Sequence, residues 1–114
     1  MTMDQSERAV ALIVEDDPWI RALIGDVLCQ AGYTVQEASN GCAALRLAKR
    51  EPPVLVLLDL VLPEKSGLSV LAELKTAPAT AHVPVIVVSG QTDLLARAFG
   101  LADAVVTKPF DVDE

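Results

Sequence analysis

The sequence predicts an α/β domain in which a parallel sheet carries helices on both faces. Three short runs are continuously apolar, which is typical of strands that meet no water on either side. Two weaker strand signals complete a set of five, and apolar residues recur at helical spacing between them. Strands that alternate with helices in this way form right-handed crossovers and a doubly wound sheet. The five predicted strands are Ala9–Val14, Tyr33–Ala38, Val54–Leu58, Val83–Val88 and Ala104–Thr107.

Capping residues mark where the predicted helices begin. Asp17 is suited to the N-cap of the first helix, and Pro18 to its first helical position. The apolar face of this helix runs from Ile20 to Ala31, and Gly32 is placed to end it. The other helices, each starting from its predicted cap, run from Asn40 to about Arg50, from Ser66 through Leu74 and, as a short fourth helix, from Thr92 through Phe99.

The order of elements also predicts the topology and the domain limits. Five strands separated by four helices fit the flavodoxin-like strand order 2-1-3-4-5. A chain of 114 residues is too short for two independent cores. We therefore predict one domain over residues 9–114, preceded by a disordered N-terminal extension over residues 1–8. A fifth covering helix would begin near Asp111–Glu114, where the sequence stops, so we expect that helix to be truncated.

Composition excludes several classes of function. Hydrophobic residues make up 52% of the chain, which argues against a disordered protein. No apolar run approaches the roughly 20 residues that a membrane span needs, and the polar N-terminus does not resemble a signal peptide. The net charge of −7 disfavours direct binding to nucleic acid, which needs a basic face. We expect a cytoplasmic protein that contacts neither membrane nor nucleic acid.

The two cysteines do not suggest a disulfide framework. Cys29 and Cys42 are too few for such a framework, and both fall within predicted helices. We expect buried free thiols.

Chemically versatile side chains follow the carboxyl ends of the predicted strands. In parallel α/β sheets, ligands bind beyond these ends, where the direction of winding reverses. Strands one, three and four would be neighbours in the predicted order, so their terminal side chains would converge in one pocket. The side chains in question are Glu15, Asp16 and Asp17 after the first strand, Asp59 at the third, Ser89 at the fourth and Lys108 at the fifth.

Each of these residues also has an ordinary structural interpretation. We interpret Asp17 as a helix cap in preference to a ligand. Glu15 and Asp16 could be solvated loop charges. Turns would account for Asp59 and for Ser89-Gly90, and Lys108-Pro109 could be a surface lysine before a strand terminator.

Their joint placement favours a metal-assisted phosphoryl-transfer site. Carboxylates from Glu15, Asp16 and Asp59 would raise each other's pKa unless a cation neutralised them. Mg²⁺ prefers such oxygen ligands, together with phosphate oxygens. An aspartate such as Asp59 can act as nucleophile and form an acyl phosphate. Mg²⁺, the Lys108 ammonium and the Ser89 hydroxyl with nearby main-chain N–H groups would neutralise the three equatorial oxygens.

Four motifs resemble those of response-regulator receiver domains, the phosphoacceptor domains of two-component signalling. ALIVEDDP at 11–18 resembles the signature in which acidic residues follow the first strand. LLDLVLPEKSG at 57–67 resembles the phosphoacceptor segment, with proline and glycine four and eight residues after the aspartate. VVSG at 87–90 and TKPF at 107–110 resemble the hydroxyl and Lys-Pro-Phe motifs. The resemblance runs from about residue 9 to residue 114.

The resemblance implies a role for each site residue. Asp59 would be the phosphoacceptor, and Glu15, Asp16, Asp59 and the main-chain carbonyl of Val61 would hold Mg²⁺. Ser89 would contact the phosphoryl group, Lys108 would pair with it, and the Lys108–Pro109 peptide would be cis. The resemblance implies a regulatory domain, not an enzyme, that promotes its own phosphoryl transfer and dephosphorylation. The phosphodonor would be a histidine kinase or a histidine phosphotransfer protein. The domain would also pair with a second copy of itself or be linked covalently to an effector domain.

Three departures from the family fall on the face that its members use to pass on the signal. Val105 stands where the family usually carries an aromatic residue. The interval from Ser89 to Lys108 is short, so that the fourth helix lacks about one turn of ~3.6 residues. The final helix has barely begun. We expect phosphorylation to change the Ser89–Gln91 loop and the fourth helix without an inward aromatic flip, and the signal to leave through that loop, the first helix or a dimer contact.

Three alternatives differ in the residues that they require. An FMN-binding module would need a phosphate-cradling loop after the first strand, where acidic residues would repel the phosphate. A Mg²⁺-dependent phosphatase with an aspartate nucleophile would need a second acid two residues on, and Val61 occupies that position. A receiver-like interaction module that signals without phosphorylation remains open.

Overall fold

Residues 9–108 are described by a computed structural model, in which five parallel strands form one sheet in the order β2-β1-β3-β4-β5. The predicted alternation and strand order are confirmed. The predictions for residues 1–8, for the Lys108–Pro109 peptide and for the fifth helix lie outside the described residues. The elements are β1 (Val10–Val14), α1 (Pro18–Gln30), β2 (Thr34–Ala38), α2 (Gly41–Arg50), β3 (Leu55–Asp59), α3 (Gly67–Thr76), β4 (Val85–Ser89), α4 (Thr92–Ala98) and β5 (Ala104–Thr107).

Apolar side chains on alternate sides of the strands build two core clusters. On one face, Leu12, Val56 and Val87 pack in the cluster that α2, α3 and α4 cover. On the other, Ala11 and Ile13 pack in a smaller cluster with residues of α1. Successive strand residues point to opposite faces, so strands covered by helices on both sides must be apolar throughout. Within residues 9–108, no helix is long and apolar enough to span a bilayer.

Side-chain caps start three of the four helices where the sequence predicted them. The Asp17 carboxylate accepts hydrogen bonds from two N–H groups in the first turn of α1, the shorter at 2.9 Å. Asn40 and Ser66 cap α2 and α3 in the same way. The predicted cap at Thr92 is wrong, because Gln91 precedes α4 and makes no side-chain capping bond. At seven residues α4 is short, as predicted.

Gly32 ends α1, as the sequence predicted. It adopts φ 101°, a left-handed conformation that glycine accommodates best, and it follows the C-cap of the helix.

The prediction of buried thiols is wrong. Both Cys29 and Cys42 are free, but they are exposed. Each lies next to a buried helical residue, Leu28 and Gly41, and the helical turn carries the cysteine itself away from the sheet.

A polar cluster joins α3 to the amino-terminal ends of β4 and β5. The Lys75 ammonium contacts the Asp103 carboxylate at 2.7 Å and donates to the Val83 carbonyl at 2.8 Å. The same carboxylate accepts from the Val85 N–H at 2.8 Å, and the Asp103 N–H donates to the Val85 carbonyl. The hydrogen bond from Lys75, followed by that from Val85, holds the pKa of the Asp103 carboxyl below its usual range. This cluster fixes the start of the short edge strand β5.

We predict that Asp103→Ala lowers the free energy of unfolding by about 1–2 kcal/mol at neutral pH. The substitution removes a partly exposed ion pair and leaves the Val85 N–H without its acceptor. A carboxyl with a lowered folded-state pKa stabilises above its unfolded value of about 3.9 and loses that contribution as the pH falls. Urea unfolding at neutral and acidic pH should show the difference from wild type shrinking below about pH 4. Asp26→Ala, an exposed site on α1, is the control; an equal loss in both variants would contradict the prediction.

A close backbone approach explains the glycine at the start of α3. A Cβ atom on Gly67 would lie 2.4 Å from Leu60 Cα and 2.5 Å from the Asp59 carbonyl oxygen. The Gly67 N–H also donates to the Leu60 carbonyl at 3.1 Å. The N-terminus of α3 therefore rests directly on the main chain at the end of β3, and any side chain there would push Asp59 out of place.

We predict that Gly67→Ala destabilises the fold by about 1–3 kcal/mol, because backbone atoms cannot yield to the added methyl group as a flexible side chain would. Gly25→Ala in α1 is the matched control. Its Cβ would meet nothing closer than 3.7 Å, and alanine is the better helix former. Thermal unfolding should show Gly25→Ala at or above wild type and Gly67→Ala well below it. Equal stabilities would contradict the close approach.

Candidate functional site

The carboxyl ends of the strands meet at one edge of the sheet, around an open pocket of about 510 Å³. Five residues singled out from the sequence line it, and their positions follow from the parallel arrangement of β1, β3, β4 and β5. These five are Glu15, Asp16, Asp59, Val61 and Lys108. Four further residues complete the lining, namely Asp17, Ile20, Gly90 and Gln91. The sequence analysis did not place Ile20 and Gln91 in the pocket.

Three carboxylates converge in this pocket. Glu15, Asp16 and Asp59 each offer an oxygen atom, and these atoms all lie within 4.8 Å of one another. Glu15 and Asp59 are only 2% and 5% exposed, whereas Asp16 is exposed. Burial raises the pKa of the Glu15 carboxyl, and the neighbouring charge of Asp59 adds to the rise; hydrogen bonds from Lys108 and from the Asp17 N–H oppose it only in part.

Lys108 supplies the cation that these buried carboxylates require. Its Nζ donates to Glu15 Oε1 at 2.8 Å and to Asp59 Oδ2 at 3.0 Å. Burial by itself would lower the pKa of the ammonium group, but the hydrogen bonds and charges of the two carboxylates outweigh it and raise the pKa. Lys108 is held at this place because its N–H donates to the Ser89 carbonyl at 2.9 Å, directly beyond the β4–β5 ladder.

The second oxygen of each buried carboxylate binds a main-chain N–H group. Glu15 Oε2 accepts from the Asp17 N–H at 3.2 Å, and Asp59 Oδ1 accepts from the Val61 N–H at 3.0 Å. Each carboxylate thus has Lys108 on one oxygen and a main-chain donor on the other, which fixes its plane. Val61 is 47% exposed and lines the pocket beside Asp59.

Ser89 lies beside the pocket but does not line it. Its side chain is fully buried at the end of β4, and its Oγ accepts a hydrogen bond from the Gln91 N–H at 3.0 Å. The main chain of Ser89 contacts Lys108, so that the two residues are adjacent. The hydroxyl is therefore near the site, within a local turn.

Asp17 is a helix cap, as the sequence predicted. Its carboxylate accepts hydrogen bonds from main-chain N–H groups in the first turn of α1.

Arg21 belongs to this region, although the sequence analysis did not identify it. Its Nη1 donates to the Glu15 carbonyl at 2.8 Å, and its Nε donates to Glu37 Oε1 on β2 at 3.1 Å. An arginine within an amphipathic helix normally indicates only a solvated face, and its pairing with Glu37 depends on the register of β1 with β2. The sequence carried no local signal for it.

Comparison with known proteins identifies the family. The family model for the response regulator receiver domain matches residues 11–114. The chain is 42% identical over 108 residues to the transcriptional regulatory protein KdpE of Mycobacterium tuberculosis, which covers 92% of this chain and 46% of that protein. It is 35% identical over 104 residues to sporulation initiation phosphotransferase F of Bacillus subtilis, which covers 90% of this chain and 84% of that protein.

A solved structure supports the same assignment. The receiver domain of the sensor histidine kinase PA1611 from Pseudomonas aeruginosa, with a magnesium ion coordinated in its active site cleft, matches with a TM-score of 0.81. The sequence identity is 28%, and the match covers 91% of this chain and 88% of that chain. The chain spans less than half the length of several curated relatives, including KdpE.

The fold, the acidic pocket and these relatives agree, and they do not favour a module that signals without phosphorylation. The chain is a regulatory domain, homologous to the phosphoacceptor domains of histidine kinases and response regulators in two-component signalling. It belongs to the response-regulator receiver domain family.

Proposed function

We propose that this receiver domain is phosphorylated on Asp59 in a Mg²⁺-dependent reaction, with a histidine kinase or a histidine phosphotransfer protein as donor. The observation that carries the proposal is the environment of the Asp59 carboxylate. It lies in an open pocket, its two oxygens are oriented by Lys108 and the Val61 N–H, and two further carboxylates lie beside it. An oriented aspartate beside a hard-metal site suits nucleophilic attack on phosphorus.

The residues of the pocket fit Mg²⁺. Carboxylate oxygens of Glu15, Asp16 and Asp59 lie within 4.8 Å of one another, and oxygen ligands are those that Mg²⁺ prefers. We assign these three side chains and the main-chain carbonyl of Val61 as ligands. When bound, the ion would neutralise negative charge on the transferred phosphoryl group. The magnesium ion in the PA1611 receiver domain is in line with this assignment.

The reaction exchanges one bond to phosphorus for another. An oxygen of Asp59 forms a P–O bond while the P–N bond to the donor histidine breaks, and the freed imidazole nitrogen takes up a proton. The product is an acyl phosphate, whose phosphoryl group carries about −1.5 to −2 charges in place of the single charge of the Asp59 carboxylate. The Lys108 ammonium, already at 3.0 Å from Asp59, would pair with one phosphoryl oxygen. The Ser89 hydroxyl would donate to another.

The buried hydroxyl of Ser89 links this chemistry to a change of conformation. The hydroxyl is buried outside the pocket lining and accepts from the Gln91 N–H, so we expect Ser89 to move toward the pocket when its hydroxyl donates to the phosphoryl group. The Ser89–Gln91 loop would rearrange with it. Val105, partly buried against the core, has no ring to follow the hydroxyl inward, and its β-branched side chain is stiff about χ1. We therefore place the output at this loop, at α1 or at a contact with a second copy of the chain.

The domain is regulatory, and we propose that its chemistry is confined to its own phosphorylation state. It would promote its own phosphorylation and dephosphorylation without turning over a separate substrate, because Val61 offers no acid two residues after Asp59. The acidic charge of −7 disfavours direct contact with nucleic acid, so any transcriptional output would need a linked effector domain. We place the domain in the cytoplasm.

We predict that incubation with acetyl phosphate and Mg²⁺ adds about 80 Da to the intact mass, the mass of one phosphoryl group. Asp59→Asn should abolish the adduct, because the amide cannot form the acyl phosphate, and Asp16→Asn should weaken its dependence on Mg²⁺. Asp26→Asn, an exposed substitution on α1, is the matched control and should retain the adduct. An adduct that persists in Asp59→Asn, or its absence from the wild-type protein, would contradict the proposal.

A further inference from the structure

We propose that Arg21 is a positioning residue for the metal site, which holds the Glu15–Asp16 peptide so that the Asp16 carboxylate is presented to Mg²⁺. The inference rests on the proposed function, because it assumes that the three carboxylates bind Mg²⁺. It goes beyond that function in assigning a task to the Arg21–Glu37 pair, which lies outside the ligand set.

Asp16 differs from the other two carboxylates in how its position is set. Glu15 and Asp59 are buried, and both oxygens of each are hydrogen-bonded. The Asp16 side chain is exposed and makes no hydrogen bond or ion pair with any other residue between 9 and 108. The position of the Asp16 main chain therefore determines whether its carboxylate lies within 4.8 Å of the other two.

Arg21 acts on that main chain. Its Nη1 donates to the Glu15 carbonyl at 2.8 Å, and this carbonyl belongs to the peptide that leads into Asp16. Because a peptide is planar, fixing its carbonyl also fixes the direction of its N–H and restricts the position of the Asp16 Cα. The Glu15 N–H is tied separately, to the Ala38 carbonyl on β2 at 3.0 Å. The turn between β1 and α1 is thus held on both sides of Glu15.

Glu37 orients the guanidinium group for this task. Its Oε1 accepts from Arg21 Nε at 3.1 Å, and the Arg21 side chain is only 20% exposed. Glu37 pairs in register with Ile13, two residues before Glu15 on the neighbouring strand. The two acceptors are bound by two separate nitrogens of one rigid guanidinium plane, Nε and Nη1, and the single nitrogen of a lysine ammonium cannot reproduce that spacing.

Two effects of Arg21 on Mg²⁺ affinity oppose each other, so the sign of the change separates them. A positive charge near the pocket repels Mg²⁺, and its removal alone would tighten binding. A group that orients a ligand strengthens binding, and loss of such outer contacts typically costs 10–100-fold in metal affinity. Positioning predicts weaker binding in Arg21→Gln, whereas a purely electrostatic role predicts tighter binding.

The test is a Mg²⁺ titration of the full chain by two-dimensional amide NMR at constant ionic strength, without any phosphodonor. We expect Arg21→Gln to bind Mg²⁺ about 10-fold more weakly than wild type. Arg21→Lys, which retains the charge, should also bind more weakly, and Glu37→Gln should shift the affinity in the same direction. Arg46→Gln on α2, an exposed site with the same change of net charge, should match wild type.

Amide exchange provides a second readout in metal-free protein. The Asp17 N–H, which donates to Glu15 Oε2 just beyond the peptide that Arg21 holds, should exchange faster in Arg21→Gln than in wild type, while the amides of β3 remain unchanged. Unchanged or tighter Mg²⁺ binding by Arg21→Gln, with wild-type binding intact, would overturn the inference and leave the proposed function standing. Failure of the wild-type protein to bind Mg²⁺ would overturn both. Arg21→Lys keeps the test decisive if Arg21→Gln folds poorly, because it removes the guanidinium geometry without changing the net charge.

Discussion

Two buried carboxylates coexist at one edge of the sheet because a single ammonium group lies between them. Glu15 and Asp59 are almost completely buried and would repel each other, and Lys108, 93 and 49 residues away in sequence, contacts both. Leaving a buried charge unpaired typically costs several kcal/mol. The contact joins the ends of three strands, β1, β3 and β5, so the shape of the pocket depends on it.

Features far from the pocket serve this contact. The Lys75–Asp103 pair fixes the start of β5, which begins four residues before Lys108. Because Lys108 directly follows the last residue of this strand, its ammonium group reaches the carboxylates at the opposite end of the strand. Gly67 allows α3 to rest on the main chain beside Asp59. Under the proposed function, the incoming charge would offer Lys108 a new partner. The same cation that balances the resting site would then favour the phosphorylated one, which would couple the chemistry to the end of β5 and to the neighbouring Ser89.

Much of this arrangement could be predicted from the sequence because it depends on local pattern and order. Apolar runs at Ala9–Val14 and Val54–Leu58 indicated buried strands, and the position of Asp59 and Lys108 at strand ends placed them together. What could not be predicted depends on side-chain orientation and on partners distant in sequence. Ser89 is fully buried, and the packing that encloses its hydroxyl at the end of β4 depends on residues distant in sequence. The Arg21 contacts require the register of two strands, and cysteine exposure depends on the rotation of helices about their axes.

The stability of Lys108→Met, with and without Mg²⁺, shows whether Lys108 balances the buried carboxylates until Mg²⁺ and a phosphoryl group arrive. Denaturant unfolding in chelator should show a loss of about 2–4 kcal/mol, because two buried carboxylates lose their counter-charge. Mg²⁺ should then restore more stability to this variant than it adds to wild type. Lys49→Met, an exposed site on α2, is the control and should respond as wild type does. A Lys108→Met variant as stable as wild type in chelator, or one that gains no more from Mg²⁺, would contradict the account.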